Sequence, residues 1–165
     1  MKKKDEKTNV MRILEQKKIP YTAHFYEAAE DPEGTREYGA HIAAVLGQDP
    51  ARVFKTLAAR GASENYYVFE VPVAESLDLK KAARAVGEKS VELLHVAEIN
   101  AVTGYIRGGC SPVGMKKQFP TVFHETARDF STIFISGGRI GAQVETAPLP
   151  LMELVHGTAA DIIVK

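Results

Sequence analysis

The chain has 165 residues, the size of one ordinary domain, and needs neither a disulfide nor a structural metal to enclose a sufficient core. With 45% apolar and 25% charged residues it lies near the globular average, and no run approaches the roughly 18 apolar residues of a spanning helix, so a membrane-spanning protein is excluded. Its 21 basic residues balance 21 acidic ones, so a nucleic-acid partner has to be held by a local patch rather than by the field of the whole molecule.

Residues Met1 to Lys7 are charged and lack the apolar stretch of a secretory signal, and they read as a frayed start to a chain that is not exported. From Thr8, a natural N-cap, Val10, Ile13 and Leu14 share one helical face as far as Lys18, and Pro20 ends that helix. Tyr21, Ala23 and Phe25 then alternate with Thr22, His24 and Tyr26, the period of a strand with one buried face. After an acidic, turn-rich stretch from Ala28 to Gly34, helical spacing of Tyr38, Ile42, Val45 and Leu46 predicts a second helix over Thr35 to Leu46, stopped by Gly47. Asp49-Pro50 fits a single capped turn leading into a strand from Val53 to Ala59. A second strand, Tyr66 to Pro72, follows a polar turn and is expected antiparallel to the first.

Asp78 to Val86 is helical by the spacing of Leu79, Ala82, Ala83 and Val86, with a basic face of Lys80, Lys81 and Arg84. Turn-formers fill Thr103 to Gly114. Strands are expected at Thr121 to His124, Thr132 to Ser136 and Gln143 to Thr146, with Gly137-Gly138 between the last two, and a closing helix at Leu149 to His156. Helices and strands mix without strict βαβ alternation, which predicts a single mixed α+β domain over residues 1–165: a curved, mostly antiparallel mixed sheet flanked by helices.

Three places invite chemistry. In Val53-Phe54-Lys55-Thr56-Leu57 an ammonium interrupts an apolar strand; either it points outward from a half-exposed edge, or its burial is answered by an anion. The segment Tyr105 to Gly114 combines three glycines with a proline and small polar side chains, as a tight loop needs and as an oxyanion-binding nest of backbone N–H groups also needs. Ser136-Gly137-Gly138-Arg139-Ile140-Gly141 matches no phosphate-loop pattern and by itself is a hairpin turn. Ser111 lacks the second glycine of a nucleophile elbow, and the five histidines show no metal-binding spacing, so neither serine-hydrolase nor metal chemistry is expected. Cys110, the single cysteine, forms no internal disulfide, in keeping with a reducing, cytoplasmic compartment. Lys80, Lys81, Arg84, Arg107, Lys116, Lys117 and Arg139 serve either as solvated faces or, gathered on one side, as a phosphate-binding surface.

Taken in order, Phe54-Lys55-Thr56-Leu57, Thr103-Gly104-Tyr105 with Gly108-Gly109-Cys110-Ser111-Pro112-Val113-Gly114, and Ile135-Ser136-Gly137-Gly138 resemble the YbaK/EbsC family of aminoacyl-tRNA deacylases. The likeness runs from Phe25-Tyr26-Glu27 through Leu77-Asp78-Leu79-Lys80-Lys81 to the closing helix, and it implies the YbaK-like editing-domain fold. It further implies a deacylase without cofactor or metal, acting on Cys-tRNA(Pro), with prolyl-tRNA synthetase as the partner that delivers substrate. Deacylation of Ala-tRNA(Pro) by water, or a non-catalytic module that docks on a synthetase, are the alternatives. By position, Lys55 is the family's key active-site lysine, and Gly108 and Gly109 are implied to bind the oxyanion. Tyr26, Tyr38, Thr56, Ser111, Ser136 and Gly137 fall at pocket positions or within the same motifs and are implied to hold substrate. Gln143 stands where many relatives carry an acidic residue.

Overall fold

The computed structural model describes residues 7–27 and 38–165, the side chains of residues 38–41 excepted. The expected frayed start up to residue 6, the acidic stretch at 28–34, the predicted helix start at Thr35 and the side chain of Tyr38 lie outside the described residues.

Helix α1 (Asn9–Gln16) begins where Thr8 accepts a hydrogen bond from the Met11 amide at 3.3 Å, and it buries Val10, Met11 and Leu14. Strand β1 (Tyr21–Phe25) turns Tyr21, Ala23 and Phe25 to the same core. Helix α2 (Tyr38–Val45) is followed by Gly47 at φ +67°, a left-handed residue that ends it. Asp49 then caps the short 3-10 turn Pro50–Arg52 by accepting from the Ala51 amide at 2.9 Å. Strands β2 (Phe54–Gly61) and β3 (Tyr66–Pro72) form the expected antiparallel hairpin, with Lys55 opposite Val71 and Thr56 opposite Glu70. Asp78 caps α3 (Leu79–Val86) through the amides of Lys80 and Lys81, both at 3.0 Å.

Strand β4 (Val91–Leu93) and helix α4 (Val96–Thr103) come next, and the sequence reading anticipated neither. A three-residue strand is too short to display a period. In α4 the apolar residues encircle the helix, and Val96 is 63% exposed, so no single face identifies it. Its start is marked instead by Glu98, whose carboxylate accepts from the His95 amide at 3.2 Å. The turn-rich loop therefore begins after Gly104. Strands β5 (Thr121–His124), β6 (Ile133–Ser136) and β7 (Ala142–Thr146) and helix α5 (Pro148–Leu154) fall close to expectation, and the short strand β8 (Thr158–Ala160) closes the fold.

The fold is mixed α/β, as expected, but its strands divide into two sheets. One is antiparallel, ordered β1-β7-β6; the other is ordered β4-β2-β3-β5-β8, with β5 parallel to both its neighbours. A single parallel bridge, Val53 to Phe134, joins the start of β2 to β6. The main core, which includes Phe54, Phe123, Ile133, Ile135 and Val144, packs against α1 and α5. A second core under α3 joins Ala82 and Ala83 to Ala59, Phe69, Val71 and Val122. Ala43 of α2 packs with Val53, Val73 and Phe134 over the bridge itself.

Asp78 satisfies two amides at the start of α3, so Asp78→Ala is expected to cost about 1 kcal/mol. Denaturant unfolding should show a lower midpoint with an unchanged slope.

Candidate active site

The β6–β7 turn brings together two of the motifs singled out in the sequence, Ser136-Gly137-Gly138 and the glycine loop. The Gly138 amide donates to Ser136 Oγ at 3.1 Å, and the Gly137 amide donates to the Ala142 carbonyl at 2.8 Å. A Cβ on Gly137 would lie 3.0 Å from the Ala142 carbonyl carbon, so close strand approach, rather than dihedral need, demands glycine there. Tyr26, immediately after β1, is held to the same turn by its amide, which donates to the Gly141 carbonyl at 3.0 Å. The Arg139 guanidinium lies 5.8 Å from the Phe25 ring centre and donates through Nη1 to the Ile140 carbonyl.

The glycine loop packs directly on this turn. Its tip is a β-turn closed by the Gly109 amide, which donates to the Ile106 carbonyl at 3.0 Å, and Gly108 at φ +87° supplies the left-handed third residue. A Cβ on Gly109 would come within 3.0 Å of Arg139 Cα and 3.1 Å of the Ile140 nitrogen, so backbone meets backbone. The Gly109 amide is thus engaged within the loop; among the described residues, neither Gly108 nor Cys110 donates its amide to a backbone carbonyl. Ser111 has no exposed surface, and its hydroxyl accepts from the Val113 amide at 3.3 Å, which makes it a strut of the loop rather than part of its outer face. Tyr105 braces the same loop by donating to the Val113 carbonyl.

Lys55 reaches this region from the other sheet. It is half-buried, and Nζ donates to the Val73 carbonyl at 3.4 Å. The bridge pairs Val53, just before β2, with Phe134 of β6, the strand that leads into the turn at 136–141. Thr56, on the opposite face of β2, is turned into the molecule and donates to Glu70 Oε1 at 3.0 Å. Tyr38 opens α2.

Four polar residues around the site, Gln48, Arg52, Glu70 and Glu145, escaped the sequence reading, whereas Gln143 was already singled out there. Gln48 and Gln143 form a reciprocal amide pair, Nε2 to Oε1 at 2.7 and 2.9 Å, and Gln143 lies between His24 and Ser136 in the sheet register. Glu145 accepts from Thr132 Oγ1 at 2.6 Å and contacts His24 Nε2 at 3.0 Å and Arg52 Nη2 at 3.4 Å; these partners hold its carboxyl below the usual range, Thr132 most strongly. Arg52 also donates to the Thr132 carbonyl at 3.1 Å and stacks on Phe134, 5.0 Å from the ring centre. Finally, Glu70 is wholly buried, and desolvation pushes its carboxyl well above the ordinary range. Only Glu70 carried a signal comparable to that of Lys55: a charge inside a run of β-formers. The Cys110 thiol is pushed up to about 12 by burial and then by the Glu70 carboxyl, so it is not a ready thiolate.

The proposed basic surface is not a set of free cations. Lys81 pairs with Asp161 at 3.0 Å, and Arg139 is committed to Phe25 and its own turn.

Two sheets joined at one bridge, one carrying the lysine strand and the other the turn on which the glycine loop packs, define a mixed α/β domain. A solved structure titled "putative trans-editing enzyme for prolyl tRNA synthetase" shares this fold with a TM-score of 0.75, covering 100% of this chain and 99% of its own at 24% identity. A scaffold protein from a study of epitope backbone grafting superposes with a TM-score of 0.80 over 94% of this chain and 95% of its own, at 26% identity. Residues 33–154 match the aminoacyl-tRNA editing domain family. The chain is also 44% identical over 164 residues, 99% of its length and 98% of the relative's, to the "Putative Cys-tRNA(Pro)/Cys-tRNA(Cys) deacylase EbsC" of Enterococcus faecalis V583. The chain belongs to the aminoacyl-tRNA editing domain family, in its YbaK branch.

Because a Cβ at 109 meets backbone on the facing turn, Gly109→Ala is expected to displace the loop and to destabilise the fold by about 1–3 kcal/mol. Thermal unfolding, with hydrogen exchange over residues 105–114, measures both effects.

Proposed function

We propose that this protein is a trans-acting deacylase that removes cysteine wrongly attached to tRNA(Pro), working as one domain in the compartment where tRNA is charged. The observation that carries this reading is the 44% identity, along 99% of the chain, to a relative named for Cys-tRNA(Pro)/Cys-tRNA(Cys) deacylation. Lys55, on the strand that follows the bridge to β6, and the glycine loop, packed on the β6–β7 turn, carry a chemistry that suits it.

An aminoacyl ester is already activated, so the site needs only a placed nucleophile and stabilisation of the developing oxyanion. In this reading the Lys55 ammonium holds the 3′-terminal phosphate or ribose, or polarises the ester carbonyl. The amides of Gly108 and Cys110 meet the oxyanion, because the Gly109 amide is spent on Ile106. Tyr26, Tyr38, Ser136 and Gly137 border the aminoacyl end. Thr56 and Ser111 act from behind, through the strand and the loop that they brace. For a cysteinyl ester the attacking group is the substrate's own sulfur. It bonds to the carbonyl carbon, the carbon–oxygen ester bond breaks, and the thiol proton ends on the ribose oxygen. Water then opens the cysteine thiolactone. Such a step has high effective molarity and rejects substrates that lack a thiol. A pocket alone separates side chains that differ by one methylene only about 10- to 200-fold.

Balanced charge gives the chain no global pull on RNA, so prolyl-tRNA synthetase is proposed as the partner that raises the local concentration of substrate.

Wild type should clear Cys-tRNA(Pro) far faster than Ser-tRNA(Pro), and Lys55→Ala should lower kcat/KM by about 100-fold or more. Equal rates on Cys-, Ser- and Ala-tRNA(Pro) would replace the thiol with water as nucleophile. Binding without turnover by the wild type would make the protein a non-catalytic module.

A further inference from the structure

We propose that Gln48 is a positioning residue of this site: paired with Gln143, it clamps the end of α2 to the sheet face that carries Ser136 and so fixes α2 over the aminoacyl end of the substrate. The kinetic consequence rests on the deacylase reading, and the clamp rests on hydrogen bonds and register. Helix α2 ends with Gly47 in the left-handed region, where the Gly47 amide donates to the Ala44 carbonyl at 3.2 Å and the Gln48 amide reaches back to the Ala43 carbonyl at 2.8 Å. A helix stop of this form commonly has an apolar residue at the position of Gln48, packed on the final turn. Here that position carries an amide side chain, which exchanges two hydrogen bonds with Gln143, Nε2 to Oε1 at 2.7 Å one way and 2.9 Å the other. Gln48 is thus held twice, its backbone by the helix end and its side chain by β7.

The register sets the face on which it lands. Gln143 pairs with His24 on β1 and with Ser136 on β6, and residues opposite one another across a sheet turn their side chains to the same side. Phe134, two residues before Ser136 on the same strand, shares that side and packs with Ala43 of α2. Helix α2 therefore touches this face at two points, an apolar one at Phe134 and a polar one at Gln143, and Ser136 adjoins both. The apolar contact is non-directional and tolerates small slides of the helix; the amide pair does not. Gln143 is 4% exposed, so without Gln48 its amide would lose partners where water does not readily replace them. The pair gives α2, which opens with Tyr38, one place over the site. Lys55 and the loop amides stand on other elements, and the attacking sulfur belongs to the substrate. Displacing α2 therefore weakens the hold on substrate and leaves the groups that carry the reaction where they are.

The test compares wild type with Q48M, Q143M and the double variant, methionine being close to glutamine in size and lacking its amide. In Q48M, KM for Cys-tRNA(Pro) should rise about ten-fold with kcat within about two-fold of wild type, the pattern of lost binding rather than lost chemistry. A role confined to holding the fold together would instead lower the fraction of working enzyme, and with it the apparent kcat, at unchanged KM. Amides of residues 42–48 should exchange hydrogen faster in Q48M, while those of α3 stay as in wild type. Each single variant strands the other amide and should lower the midpoint of denaturant unfolding; the double variant strands none and should regain most of that loss. Its KM should stay raised, because two methionines fill the space without fixing a direction. Additive losses of midpoint across the cycle, a fall in kcat at unchanged KM, unchanged exchange over 42–48, or a wild-type KM in the double variant would overturn the assignment. If wild type leaves Cys-tRNA(Pro) intact, the deacylase reading falls, while the unfolding cycle and the exchange still decide the clamp. Should either variant carrying Q143M fail to fold, Q48M against wild type decides alone.

Discussion

The arrangement of this protein depends on where β2 meets β6. Among the described residues that contact carries one backbone bridge, Val53 to Phe134, between two separate sheets, and it fixes how the start of the lysine strand is set against β6. A one-residue slip would carry the lysine to the opposite face, into the core that encloses Thr56 and Glu70. One hydrogen-bonded bridge is weak protection against such a slip, and the surrounding side chains supply the rest. Arg52, directly before the bridge, is anchored to Thr132 and Glu145 on the other sheet and stacked on Phe134, one of the bridged residues. An exposed ion pair is worth little, but here a planar guanidinium is fixed by carbonyl, carboxylate and ring together, and that geometry specifies register.

Behind the site, the same strand carries the opposite kind of constraint. Thr56 and Glu70 place a polar pair where the main core begins, and their one hydrogen bond offsets only part of the desolvation cost, since Glu70 Oε2 is buried without a partner. Apolar residues of similar size would fill the space with less penalty. What the pair supplies instead is direction: a hydroxyl and a carboxyl bond in only a few orientations, so β2 and β3 are held in one relation behind Lys55.

Much of this fold could be read from residue patterns because its longer elements bury one face each. Val10 and Leu14 on α1, Tyr21, Ala23 and Phe25 on β1, and Ala82 and Ala83 on α3 all keep the period that their burial requires. The elements that escaped notice are those without such a face: β4 and β8, three residues long, and α4, whose apolar side chains point in all directions. The site was legible in part for a related reason. Lys55 and the glycines announce themselves by being wrong for an ordinary strand or helix. The Gln48–Gln143 pair and the Arg52–Glu145 network involve residues of ordinary surface type, 95 and 93 positions apart in the chain, and only the tertiary register brings them together. The roles of single atoms were beyond reach as well. Glycine's presence at 109 was explicable from sequence, but that its amide closes a turn on Ile106 depends on the loop's own path.

Gln143 shows how one such pairing constrains the chemistry of the pocket. At 4% exposure, beside Ser136 in the register, it exchanges two hydrogen bonds with Gln48 and leaves neither amide with a spare strong donor toward the other. A carboxylate at this position would still accept from Gln48 Nε2. It would, however, confront Gln48 Oε1 with a second acceptor and place a charge where little water reaches it. The two glutamines therefore make sense only together, as a neutral clasp between the end of α2 and β7. In the proposed site, position 143 therefore offers no carboxylate with which to bind a substrate ammonium. Its discrimination among aminoacyl groups has to come from elsewhere, and a reaction in which the substrate's own sulfur is the nucleophile places that discrimination in the chemical step itself.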